Sequence, residues 1–238
     1  KSRTICLMDA TVSMTHLLHK CKTAVDEMFN RTSDILNDHQ ISSDSFQLQF
    51  VVYRNYNSRE EKILQSSPWE AKPFNLRTFL DMIEVEGGWA NEAIEVALWH
   101  ANKENELNTI TQVILIGDAP PNTKKEIDIK KKRFGEDYWQ NTKFAQVAYY
   151  KDELEKLISH GVPVNAFYIA ERAKEKFQEI ANLSKGRCEM LDINSSSGSD
   201  MLTDLVTKEI LRNIGGTQLV SAYDAKYKKS YTSSEITA

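Results

Sequence analysis

The sequence predicts an α/β fold: a doubly wound, mostly parallel open sheet with helices on both faces and one antiparallel edge strand. Three observations predict it. Apolar runs of strand length alternate along the chain with amphipathic stretches of helical period, the pattern of right-handed βαβ units. The runs before Asp9 and Asp118 are apolar nearly throughout, as strands covered on both faces must be. Both runs end in an aspartate, at the carboxyl edge where sheets of this kind receive ligands.

The elements follow in order. A first strand runs over 4–9. Met14, Leu17, Leu18, Cys21, Val25, Met28 and Phe29 recur at steps of three and four, which predicts a helix over 13–35. Phe46–Tyr53 alternates and then turns fully apolar, so it reads as a strand. A short edge strand is expected over 62–66. Helices over 75–83 and 92–100 are separated by Gly87-Gly88. A second buried strand covers 112–118. The stretch 141–160 reads as helix, with Leu154, Leu157 and Ile158 turned inward. A turn at Gly161 opens a strand reaching 169. A helix over 173–183, a short strand over 187–191 and a final helix over 199–214 complete the fold. The polar loop Asn194-Ser195-Ser196-Ser197-Gly198-Ser199 is placed to cap that last helix. The domain is expected over 1–217, followed by a polar Ser/Tyr/Lys-rich tail over 218–238, poorly ordered at its end.

Composition bounds the function. At 238 residues, with 41% hydrophobic and 27% charged, the chain suits one large domain with a sizeable core. A net charge of −4 argues against nucleic acid as the main partner. No apolar run approaches the ~20 residues that span a bilayer. The three cysteines, Cys6, Cys21 and Cys188, form no CxxC pair and read as buried thiols, which favours a cytoplasmic location. The chain begins with Lys1 and shows no signal-peptide pattern, so it reads as a piece of a larger multidomain protein.

The chemistry concentrates in three segments. Asp9-x-Thr11-x-Ser13 offers a carboxylate and two hydroxyls from one strand tip. This all-oxygen set suits Mg²⁺, Mn²⁺ or Ca²⁺ and not a soft metal. The second segment is the Gly87-Gly88-Trp89-Ala90-Asn91-Glu92 turn, and the third is Gly117-Asp118-Ala119-Pro120-Pro121-Asn122. As isolated features, Asp9 and Asp118 would be turn formers or caps. Trp89 would be either a core plug or a contact residue. His16 and His19 lack the second ligand pair a zinc site needs and read as surface histidines. The charged insert around Lys124-Lys125 and Lys130-Lys131-Lys132-Arg133 reads as a solvated excursion, with a basic contact patch as the lesser reading.

Taken together and in this order, the three segments resemble a von Willebrand factor A (vWA) domain over 4–214. The resemblance implies a metal-ion-dependent adhesion site (MIDAS) in which Asp9, Thr11, Ser13 and Asp118 hold a divalent cation. A partner protein's acidic side chain would complete the coordination. The family often reads Gly-Gly-Thr-x-Thr in loop two, whereas this chain has Gly87-Gly88-Trp89-Ala90-Asn91 and no threonine. Asn91 is the expected substitute oxygen, with Glu92 as the other candidate. Loop two and the Asp118-Ala119-Pro120-Pro121 run resemble most the intracellular vWA domains of alpha-kinase-like proteins. Trp89, Pro120 and Pro121 are the expected partner contacts. This makes the chain a protein–protein interaction module and not an enzyme. Two alternatives stand beside it. One is a haloacid-dehalogenase-type phosphohydrolase with Asp9 as nucleophile, although Thr11 then occupies the general-acid position. The other is a vWA domain that uses a metal-independent face.

Overall fold

Strand β1 (Ser2–Asp9) lies at the centre of the molecule, flanked in parallel by β2 (Phe46–Tyr53) and β4 (Gln112–Gly117). The computed structural model describes residues 1–194 and 198–227. Within it, β3 (Leu64–Ser66), β5 (Val164–Tyr168) and β6 (Cys188–Met190) complete a six-stranded sheet of order β3-β2-β1-β4-β5-β6. Every pairing is parallel except β2 with β3, so the antiparallel edge strand is present as expected.

The period of two along β1 divides the core. Cys6 and Met8 face one side, against α1 (Thr15–Asp38), α3 (Phe74–Met82) and α8 (Gly198–Tyr227). Ile5 and Leu7 face the other, against α4 (Ile94–Leu107), α6 (Tyr150–Ser159) and α7 (Glu171–Leu183). Helices therefore cover both faces. Each fully buried aliphatic side chain contributes roughly 1.5–3 kcal/mol, so the central strands anchor the domain. Two short helices complete the set, α2 (Glu60–Ile63) and α5 (Lys124–Lys130).

Four differences from the sequence reading have physical reasons. The expected edge strand 62–66 begins as the last turn of α2 and is extended only over its final three residues. Helix α5 was not expected. It has one buried residue, Ile127, and starts on a capping box between Thr123 and Glu126. The expected helix 141–160 forms only from Tyr150, because Trp139 and Phe144 turn inward as an aromatic cluster with Tyr56 and Trp99. The last helix does not stop at 214. Gly215 and Gly216 break it (Gly216 at φ 67°, ψ −154°), and it then resumes to Tyr227. Leu219 and Tyr223, four residues apart, bury against the α1 side of the core, and the Tyr223 hydroxyl meets Asp204 and Arg31. The stretch expected as a tail from 218 therefore begins as packed helix. Ser195–Ser197 of the expected capping loop, and 228–238, lie outside the described residues.

Candidate functional site

Three loops meet at the carboxyl edge of β1 and β4, stitched together by main-chain hydrogen bonds. Loop one follows Asp9, loop two spans 83–93 and loop three follows Gly117. Val12 N donates to Glu86 O (3.0 Å) and Glu86 N to Ala10 O (3.1 Å), joining loops one and two. Glu92 N donates to Pro120 O (3.0 Å) and Asn122 N to Glu92 O (3.2 Å), joining loops two and three. Loop two is thus clamped on both sides. Beneath it, Asn122 Nδ2 donates to Asn55 Oδ1 (3.1 Å) and to Glu95 Oε1 (2.9 Å), and the Tyr56 hydroxyl donates to the same Glu95 oxygen (3.0 Å).

In loop one, Thr11 N donates to Asp9 Oδ1 at 2.8 Å, which fixes the carboxylate at the strand tip. The Thr11 and Ser13 hydroxyls stand 3.2 Å apart. Thr11 is buried and Ser13 exposed. Asp118 is buried on the neighbouring strand end, and the Arg172 guanidinium lies over it. Arg172 Nε donates to Asp118 O (2.9 Å), Nη1 donates to Ala90 O (3.1 Å) and Nη2 lies 3.6 Å from Asp118 Oδ1. A cavity of about 430 Å³ opens here, lined by Thr11, Ser13, Gly88, Trp89, Glu92 and Arg172 among others.

The site is acidic, and its carboxylates are buried. Burial pushes the Asp9 carboxyl up to about 7, and the charge of Asp118 adds to the shift. Burial likewise raises Glu92 to about 9. The Asp9 and Asp118 charges reinforce that shift, while Lys130 and Arg172 oppose it. The buried Tyr53 hydroxyl faces Asp9, Glu92, Asp118 and Glu95, which hold it strongly protonated together with its burial. Asp9 Oδ2, Glu92 Oε2 and Asp118 Oδ1 are all buried without a hydrogen-bond donor. Asp118 Oδ1 has the Arg172 guanidinium at 3.6 Å, whereas the Asp9 and Glu92 oxygens are costly unless a cation or protons compensate them. The donors at this edge are all oxygen, the chemistry a hard dication prefers. Among the described residues no three Asp, Glu, His or Cys side chains converge tightly enough to hold an ion unaided. Hydroxyls and water would have to complete any coordination shell, as is usual for Mg²⁺.

The structure brings Asp9, Thr11, Ser13 and Asp118 to one edge. It does not bring the Asn91 side chain there. Asn91 Nδ2 binds the Glu126 carboxylate (2.9 Å to each oxygen), so this side chain is committed to α5. Trp89 is half-buried with Lys130 and Arg133 over its ring, at 5.3 and 5.8 Å from the centroid. Pro120 is half-buried. Pro121 is buried at the bridge to Glu92, which removes it as a contact residue. His16 and His19 are both exposed on α1. The sequence reading passed over Arg172, and it set Glu92 behind Asn91. One signal was available for Glu92. Glu92 and Glu95 flank the start of α4, whose first turns over Ile94–Trp99 are otherwise apolar, and both carboxylates are buried there.

No protein-family model matches the chain, and no curated protein sequence matches it. Solved structures do. The chain is similar to a von Willebrand factor type A protein from Catenulispora acidiphila, at 12% identity and a TM-score of 0.54, over 89% of this chain and 43% of that one. It is also similar to the pilus adhesin SpaC from Lactobacillus rhamnosus GG in its open conformation, at 13% identity and a TM-score of 0.58, over 90% of this chain and 30% of that one. The chain thus spans less than half the length of either protein. At these identities the likeness defines the fold: this chain has the fold of a vWA domain.

Proposed function

We propose that the chain is a non-catalytic protein–protein interaction module whose carboxyl edge takes a divalent cation and, through it, an acidic side chain of a partner. The observation that carries this reading is the buried, donorless Asp9 Oδ2 near Asp118, whose own buried Oδ1 has only the Arg172 guanidinium at 3.6 Å, beside the Thr11 and Ser13 hydroxyls. Asp9, Thr11, Ser13 and Asp118 would hold the cation. When bound, it supplies a positive centre for a carboxylate. Loop one positions the hydroxyls through the bond from Thr11 N to Asp9. The main-chain stitching keeps the three loops in register, so little ordering entropy is lost when a partner docks. The vWA fold, shared with an adhesin, supports an interaction role. The Asp118-Ala119-Pro120-Pro121 run supports kinship with intracellular vWA domains of alpha-kinase-like proteins, and with it a cytoplasmic setting. Among the described residues no helix is long and apolar enough to cross a membrane.

Calorimetric titration of Mg²⁺, Mn²⁺ and Ca²⁺ into wild type and Asp9→Ala tests the reading. Saturable binding to wild type that disappears in the variant supports it. Absence of binding to wild type, or equal binding to both, rejects it. Metal-dependent hydrolysis of p-nitrophenyl phosphate lost in Asp9→Asn would promote the phosphohydrolase alternative.

A further inference from the structure

We infer that the opposite, amino edge of the sheet holds a second site, a recess between β4, β5, the turn before β6 and α8 that takes a phosphate group. It shares no lining residue with the cavity at the carboxyl edge. The recess encloses about 180 Å³ and is lined by Asn165, Lys185, Arg187, Glu209 and Arg212 among others. Pockets that enclose drug-sized ligands run to roughly 300–1,000 Å³, so this one has room for a single small group.

The floor is built from buried polar side chains at the starts of β4 and β5. Asn165 Nδ2 donates to Gln112 Oε1 (3.0 Å), and Gln112 Nε2 donates to Thr4 Oγ1 (2.9 Å) and Glu209 O (3.0 Å). Arg187 N donates to Asn165 Oδ1 (2.9 Å). The walls carry the charge. Lys185, Arg187 and Arg212 stand against two carboxylates, Glu209 in the recess and Glu189 beside it, which leaves one positive charge in excess. Arg187 is spent on both acids, with Nε 3.1 Å from Glu209 Oε1 and Nη2 2.6 Å from Glu189 Oε1. Arg212 is not spent. Its Nε is buried without a hydrogen-bond partner and lies 3.9 Å from Glu209 Oε2. Among the described residues the Arg212 and Lys185 side chains make no hydrogen bond. A guanidinium fork and an ammonium on one small recess are the donors that a phosphate group takes.

Lys185 is held there against its backbone preference. It sits at φ 60°, in the left-handed position after α7 where glycine is usual. The next residue has to be glycine, because a Cβ on Gly186 would stand 1.9 Å from Val164 O. The turn is therefore pressed against β5, and Lys185 is brought to the cavity. A lysine that only ended the helix would forgo stability that glycine supplies.

The test is titration of inorganic phosphate in metal-free buffer at fixed ionic strength, read by calorimetry and by melting temperature, on wild type, Lys185→Gly and Arg212→Gln. Wild type should bind phosphate saturably and melt higher with it. Lys185→Gly should melt at or above wild type without phosphate. Both variants should bind about tenfold more weakly, the size expected for one lost charge-assisted hydrogen bond. O-phosphoserine in place of inorganic phosphate separates the two sources of the group, and either preference supports the site. Tighter binding of the free ion assigns the recess to phosphate itself, and binding of the ester as tight or tighter assigns it to a phosphate carried on a partner. Absence of saturable binding to wild type overturns the inference. Wild-type affinity in either variant also overturns it, because the recess is then only a staple of α8 to the sheet.

Discussion

Asp9 and Asp118 are delivered to the same buried edge by one strand pairing. Met8 pairs with Ile116 in the parallel β1–β4 ladder, so Asp9 leaves β1 one residue below the level at which Asp118 leaves β4. Asp9 then lies beside Gly117, where an added Cβ would be 3.7 Å from the Asp9 Cβ. Two buried carboxylates are held near each other, and the consequences are measurable.

The metal-free domain should lose stability as pH rises. Asp9 and Glu95 are each raised to about 7 and Glu92 to about 9, all above their values in the unfolded chain. Between the unfolded and folded values the native state binds more protons than the unfolded state, so stability falls with pH. It is fully present below pH ~4 and is lost as pH passes through 7 and then 9. Urea denaturation of the metal-free protein at pH 5.5 and 9 should show a lower midpoint at pH 9, and saturating Mn²⁺ should narrow the difference. A pH-independent midpoint would contradict the electrostatics given above.

Asp9→Asn should stabilise the metal-free domain at pH 8 while removing cation binding. The substitution keeps the acceptor for Thr11 N and removes the charge facing Asp118, a gain on the order of 1–3 kcal/mol. Thermal melts with and without Mn²⁺ measure both effects. A destabilised variant would mean that Asp9 acts as a cap.

The two loop-two glycines should differ. Gly87 has open space around a Cβ, whereas Gly88 meets Glu92 and Thr11. Gly87→Ala should change stability by less than ~0.5 kcal/mol. Gly88→Ala should cost about 1–3 kcal/mol, because the buried Glu92 and Thr11 side chains must give way. Equal effects at the two positions would mean that loop two is not packed as described.

Much of this architecture was legible in the sequence because its strands are unambiguous. Phe46–Tyr53 has the bounds the alternation gave, and β4 stops one residue short of Asp118, where the apolar run ends. Elements whose cues are tertiary were not legible. Helix α5 has so little apolar surface that its charges hide it, and the second half of α8 lies behind a Gly-Gly pair that reads as a stop. The strand-end aspartates and their hydroxyl neighbours could be read as a candidate site, since position on a strand is a local property. Arg172 could not, because it reaches Asp118 from the first turn of a helix that follows another strand. Asn91 was the reasonable polar residue in loop two, but its amide is satisfied by Glu126, a partner that exists only once α5 forms.

Arg172→Ala should separate cation competition from packing. The guanidinium is half-exposed, so its loss should change stability by less than about 1 kcal/mol. It lies 3.6 Å from Asp118 Oδ1, a carboxylate oxygen that a dication would also seek. Mn²⁺ affinity should therefore rise two- to tenfold in the variant, as measured by calorimetry at fixed ionic strength. Weaker binding would show that Arg172 holds Asp118 in place for the ion and does not compete with it.

The central claim is that this edge is a cation site, and crystals of the wild-type domain soaked in Mn²⁺ test it most directly. The anomalous difference map should show one strong peak among Asp9, Thr11, Ser13 and Asp118, within ~2.0–2.6 Å of at least one protein oxygen. A map with no peak at this edge, or with its only strong peak elsewhere on the surface, would contradict the claim.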